Sequence, residues 1–245
     1  MIFNPRNIII CLLLELLSAN ISAQVGVSAH VDAGESNVSD GFYLKSSILG
    51  SYDLKVFRVE GGGQFDMVSP DDNFLSAVTL ILAKELFIKS FPFELQGLLI
   101  HDLFSRQVHE TNWIVLAKVQ RVHFTFQLGT EFRTFHITRK AARDYDIRSH
   151  RNLHENWNIV YLLGYDLKPA GHKWNAGASI TNLDHFLVNQ ESNPLLNLHG
   201  RYQVLSPLTL FAETWYKSAG SLNISANYFS IMFRTGIIWN PWVKK

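Results

Sequence analysis

The sequence predicts an all-β chain: a single antiparallel up-and-down transmembrane β-barrel of about 12 strands, with 10 or 14 as the neighbouring counts. Three observations carry this. Apolar and polar residues alternate through most of the chain, as in the closing run, where Phe229, Ile231, Phe233, Ile237 and Trp239 share one face and Ser230, Arg234 and Gly236 the other. Successive side chains of a strand point to opposite sides, so such a run sets one face against something apolar. Short and long polar breaks alternate between the runs, which is the asymmetry of periplasmic turns and extracellular loops in bacterial barrels. An export leader precedes all of this.

In that leader Arg6 comes before an apolar stretch from Ile8 to Leu17, and the small residues Ser18, Ala19, Ser22 and Ala23 follow. The pattern is that of a signal peptide cut after Ala23, giving a leader at 1–23 and a barrel domain at 24–245. The stretch is shorter than the roughly 20 apolar residues of a spanning helix, and Glu15 interrupts it. Cys11, the sole cysteine of 245 residues, would leave with the leader, so the mature chain has no disulfide to rely on. A net charge of +1 supplies no basic excess for nucleic acid.

The mature chain opens with Val25, Val27, Ala29, Val31 and Ala33 on one face, opposite Ser28, His30 and Asp32. A loop over Gly34–Asp40 follows, then runs over Gly41–Gly50 and Leu54–Met67 joined by a turn at Ser51–Asp53. Phe57, Val59, Phe65 and Met67 there oppose Arg58, Glu60, Gln64 and Asp66, with Gly61 to Gly63 allowing close approach or a bulge. Beyond a loop at Ser69–Asn73, Phe74–Ile88 and Pro92–Phe104 form a pair around Lys89–Phe91. After a polar loop at Ser105–Thr111 the apolar face starts at Trp113, Val115 and Ala117. It changes parity near Gln120 and continues at Val122, Phe124, Phe126, Leu128 and Phe132, which marks a tight turn. Thr138–Glu155 is the most charged segment and reads as a long exposed loop. Trp157 to Leu167 shows the clearest apolar face, and Pro169 and Gly171 suit the reversal at Lys168–His172. Trp174–Ile180, a loop at Asn182–Pro194, Leu195–Leu205, a turn at Ser206 and Pro207, Leu208–Lys217 and a loop at Ser218–Asn223 lead to the closing strand.

Alternation alone does not say which face is inside, since a soluble barrel points its apolar face inward and a membrane barrel outward. Two features favour a membrane. Trp113, Trp157, Trp174, Trp215, Trp239 and Trp242 fall near strand ends, where an indole sits between lipid and water. Charges of both signs stand opposite the apolar faces, so Arg58, Glu60, Asp66, Glu131, Arg133, Arg201, Glu213 and Arg234 are expected to line the lumen. A periplasmic soluble β-sandwich or barrel is the alternative architecture.

The segment Trp174–Asn240, with NAGASITNLDHFLVNQ, LHGRYQV, LFAETWYKSAG and FRTGIIW, resembles uncharacterised outer-membrane β-barrel proteins of the Bacteroidetes type. That resemblance implies fold and a location in the outer membrane of a Gram-negative cell, and it brings no catalytic residues with it.

Three groups of residues have spacings that bear on chemistry. Ser28 and His30 have the two-residue spacing of barrel phospholipases and lipid A deacylases but in reversed order and on the polar face, so they read as a lumen-lining pair. His150 and His154, with Asp144, Asp146 and Glu155 near them, have helical metal-ligand spacing, but the surrounding cations oppose a metal. Those cations, Arg139, Lys140, Arg143, Arg148 and Arg151, suit the phosphates of lipopolysaccharide instead. The expectation is a monomeric, non-enzymatic outer-membrane barrel without cofactor or metal, acting as a narrow channel or as a structural or binding surface protein. Its partners would be outer-membrane lipid, lipopolysaccharide and, during insertion, the barrel-assembly machinery. A lipid-modifying hydrolase and an adhesion or assembly partner are the alternatives.

Overall fold

The computed structural model describes residues 24–36, 41–54, 57–68, 74–88, 91–103, 107–147, 152–154, 157–169, 171–183, 195–217 and 231–241; the leader lies outside the described residues. In order these form β1 (Gln24–Ser36), β2 (Gly41–Asp53), β3 (Arg58–Asp66), β4 (Leu75–Ile88), β5 (Phe91–Asp102), β6 (Val108–Arg121) and β7 (Phe124–Ile137). The short helix α1 (Arg139–Asp144) comes next, then β8 (Asn152–His154), β9 (Asn158–Asp166), β10 (Trp174–Thr181), β11 (Leu195–Leu205), β12 (Leu208–Lys217) and β13 (Ile231–Trp239).

All neighbouring strands are antiparallel. β1 pairs with β13 as well as β2, and β6 with both β5 and β7, so the sheet closes on itself. β9 pairs with Phe124–Glu131 of β7, and β8 takes over the same edge at Thr134–His136. Thirteen segments therefore build twelve staves, and the closed sheet excludes a sandwich.

Boundaries move where backbone groups still find partners. β1 runs to Ser36, past the expected loop start at Gly34, because Glu35 and Ser36 pair with Phe42 and Gly41. The turn expected at Ser51–Asp53 lies four residues further on, since Tyr52 and Asp53 pair with Val59 and Arg58. Val108 to Thr111, read as loop, already pair with Thr134 to Ile137. Within the expected loop Thr138–Glu155, the Thr138 hydroxyl accepts the Ala141 N–H at 3.3 Å and so caps α1, while Asn152–His154 satisfies the end of β7 as β8.

The parity change falls at the two-residue turn Val122–His123, where Val122 holds a positive φ of 48°, a region β-branched residues rarely enter. This turn is pinned: the Asp166 N–H donates to the His123 carbonyl at 2.7 Å, and His123 Nδ1 lies 2.7 Å from the Asp166 carbonyl oxygen.

Pairing and burial together define two faces. Leu82, Trp113, Leu128, Ile159, Leu198 and Phe233 point outward and are exposed, whereas Asp32, Ser47, Glu110, Glu131, Arg133 and Asn197 are buried. Apolar outside and charged inside is the inversion a barrel in lipid requires. Inner-face glycines permit the curvature. A Cβ at Gly129 would lie 2.0 Å from the Val115 carbonyl oxygen, and one at Gly62 equally close to that of Ile48, so only glycine fits there.

Candidate functional site

The candidate site is the lumen. Among the described residues, strand register builds three ion-pair networks there. At the seam, Asp32 of β1 stands opposite Arg234 of β13, and Glu213 of β12 stands opposite the same arginine. Arg234 Nε reaches Asp32 Oδ1 at 2.6 Å and Nη2 reaches Oδ2 at 3.2 Å, a bidentate charge-assisted pair. Glu213 Oε2 lies 3.8 Å from Arg234 Nη1 and accepts the Trp215 indole N–H at 2.9 Å. Gln64 donates to Asp32 at 3.3 Å, and His30 Nε2 lies 3.8 Å from it.

Near the short-turn mouth, Arg58 Nε meets Glu60 Oε1 at 2.8 Å and Nη2 lies 3.6 Å from Glu94 Oε2. The third network is dry: Arg133 of β7 lies 3.1 Å from Glu110 of β6 and 3.2 Å from Glu131, with all three side chains at most 5% exposed. A fourth, neutral or singly charged group joins β9, β10 and β11, where Asp166 Oδ1 accepts from Asn175 at 2.7 Å and contacts His199 Nε2 at 3.0 Å.

Two apolar clusters occupy other parts of the inner wall. Leu98, Ile100, Ile114, Leu116, Val160 and Leu183 form one buried cluster with Ile81 against it, and Leu195 and Met232 form another with Tyr43 and Trp215. Between the first cluster and the seam lies a cavity of about 170 Å³, lined in part by His30, Ser47, Gln64, Thr79 and Arg234.

In the strand register Arg58, Glu60, Asp66, Glu131, Arg133, Arg201, Glu213 and Arg234 share a face with Asp32, Ser47 and Asn197. Arg58, Glu60, Glu131, Arg133, Glu213 and Arg234 join the networks above; Arg201 is exposed opposite Phe211, and Asp66 accepts the Val68 N–H at 2.9 Å. Asp32, Glu94 and Glu110 join these networks beyond the eight charges expected. Asp32 shows in the sequence as the polar residue between Val31 and Ala33, while Glu110 falls in a stretch that reads as loop. Trp113, Trp157, Trp174 and Trp239 are exposed, but Trp215 faces the lumen because it pairs with Asn197 and Met232; Trp242 lies outside the described residues. Ser28 and His30 share the lumen face, with His30 edge-on to Phe211 at 6.2 Å. Arg139, Lys140 and Arg143 are exposed on α1; Arg148, Arg151, His150 and Glu155 lie outside the described residues. Among the described residues no group of three or more His, Cys, Asp or Glu is arranged to hold a metal ion.

No protein-family model matches the chain, and no curated protein sequence does. Solved structures do match in fold. The chain is similar to the KdgM porin, with a TM-score of 0.54, 9% identity, and coverage of 87% of this chain and 98% of the porin. It is similar in the same way to the NanC porin, with a TM-score of 0.52, 9% identity, and coverage of 88% and 98%. The chain therefore has a porin-like outer-membrane barrel fold, and identities this low speak for the fold alone.

Proposed function

We propose that this chain is an integral, monomeric outer-membrane protein of a Gram-negative cell, exported by the leader at 1–23, and that it acts as a narrow channel for small polar solutes. The observation that carries this reading is the division of the lumen. One side is filled by the Leu98–Val160 cluster. The other side presents polar groups in series, from Arg58, Glu60 and Glu94 at the short-turn mouth through the cavity to Asp32, Arg234 and Glu213. The reading assigns no reaction to Ser28 and His30 and no cofactor to the lumen. It keeps the Bacteroidetes-type resemblance of Trp174–Asn240, insertion by the barrel-assembly machinery, and contact of Arg139, Lys140 and Arg143, with Arg148 and Arg151, with lipopolysaccharide.

A structural or binding barrel is the second reading, favoured by the size of the apolar cluster. Planar-bilayer conductance separates the two. A conducting wild type whose ion preference shifts toward cations in Arg201→Glu supports the channel, because removing positive charge from the wall lowers the barrier to cations. A silent wild type supports the structural reading. Recovery of the protein in the soluble periplasm without detergent would overturn the membrane location itself.

A further inference from the structure

The outer wall carries a row of histidines at its long-loop end. His101 of β5, His109 of β6 and His136 of β7 all point outward, since the alternate residues Ile100, Glu110 and Phe135 are buried inside. His109 stands directly opposite His136 across the β6–β7 ladder, and the His101 and His109 rings lie 5.6 Å apart. His154 of β8 extends the row, stacked on Phe132 at 5.7 Å. Second partners hold the rings. His101 Nδ1 contacts the Thr111 hydroxyl at 2.9 Å, His136 Nδ1 donates to Asn152 Oδ1, and His154 Nδ1 contacts the Thr134 hydroxyl at 3.2 Å.

Trp113, Phe132 and Trp157 lie next to the row toward the barrel middle. Aromatic side chains mark the level of the lipid–water boundary, so the imidazoles stand at headgroup height. The charge around them is one-sided. Val78 of β4 faces His101, the outward faces of β5, β6 and β7 carry no carboxylate among the described residues, and Asp102 and Glu110 point to the lumen. On α1, immediately beyond His136, Arg139, Lys140 and Arg143 are exposed, with Asp144 and then Asp146 at its far end.

Resting on the membrane location above, we propose that His101, His109, His136 and His154 form a binding site for the phosphate of an outer-leaflet lipid headgroup, filled when the imidazoles are protonated. Imidazolium N–H groups at this height donate charge-assisted hydrogen bonds to phosphate oxygens. The apolar wall below takes the acyl chains of the same lipid.

The test is native mass spectrometry of the detergent-solubilised folded barrel, with lipid A as the probe, at pH 5.5 and 7.5. Imidazole gains a proton as pH falls, so lipid A retention should rise several-fold at the lower pH. The rise should vanish for dephosphorylated lipid A and in the fourfold variant H101Q/H109Q/H136Q/H154Q. Retained heat-modifiable electrophoretic mobility shows that the variant is folded; if it does not fold, His109→Gln alone should halve the rise or more. A wild type indifferent to pH, or a folded variant that keeps the full rise, overturns the site. Displacement of lipid A by equimolar inorganic phosphate would assign the row to free phosphate and also overturn it. Retention that instead grows with pH and disappears with EDTA would assign the imidazoles to a metal ion and overturn it too. These outcomes are read on protein already recovered from membranes, so they are independent of the location claim.

Discussion

Replacing Arg234 with methionine isolates the pair that closes the barrel. Asp32 sits on the first strand with a side chain 1% exposed, and Arg234 on the last at 16%, so the ion pair spans the seam and is largely withdrawn from solvent. In Arg234→Met the carboxylate keeps only the 3.3 Å bond from Gln64 and the more distant His30, and Glu213 loses its cation as well. Breaking a buried pair by removing one partner costs about 3–5 kcal/mol, most of it from the charge left behind. We expect a loss of about 3 kcal/mol, at the low end because the arginine is partly exposed. Asp32→Asn combined with Arg234→Met removes both charges and should cost about 2 kcal/mol less than the sum of the single changes. Urea unfolding of the barrel in lipid vesicles, followed by tryptophan fluorescence, measures all three. Hydrogen exchange adds location: amides of β1 and β13 should lose more protection than those of β6 and β7. A single variant within about 0.5 kcal/mol of wild type, or a double variant equal to the sum, would refute the seam pair as a stabilising element.

Two further changes probe the faces. Leu128→Arg, at an exposed outward position near the middle of β7, should impair insertion by about 2–4 kcal/mol, whereas Gln127→Glu, inward and opposite Lys118, should be tolerated; equal effects in an insertion assay would mean the facing is reversed. Gly129→Ala should lower the urea midpoint by the equivalent of about 1–3 kcal/mol, because its Cβ meets backbone at Val115 and Leu116, while Gly97→Ala, with nothing within 4 Å, should not.

The strands could be read from the sequence because lipid imposes a period of two on one face, as at Trp157, Ile159, Tyr161, Leu163 and Tyr165. The same parity groups Arg58, Glu60, Glu213 and Arg234 on the face opposite the apolar one. Partners could not be read this way. Asp32 and Arg234 are 202 residues apart in the chain, and only closure and register bring them together. Parity also fails where both faces are apolar. Leu98–Ile100, Ile114–Leu116 and Val160–Leu163 show no alternation, because their inner face packs against other inner faces and not against water. Trp215 departs from expectation for a related reason: its position near a strand end suggests an interface, but odd parity on β12 sends it inward beside Leu195 and Met232.

That packing bears on transport through residue size. An eight-stranded barrel is just filled by its inward side chains, whereas sixteen or more strands leave an aqueous channel; with twelve, the outcome depends on which residues point inward. Here two sets of inward residues meet at the cavity. β5, β6 and β9 contribute Leu98, Ile114, Leu116 and Val160, while β2, β3 and β4 contribute Ser47, Gly62, Ala77 and Thr79 around the cavity. A solute path through the cavity would run against β2–β4 and past the Arg234 guanidinium that lines it. The buried Arg133 network lies on the strands of the filled side, β6 and β7, so its charges act on the packing of the wall, whereas Arg234 and Arg58 face the path. Selectivity should accordingly respond to residues of the seam and the short-turn mouth and be insensitive to Glu110 and Glu131.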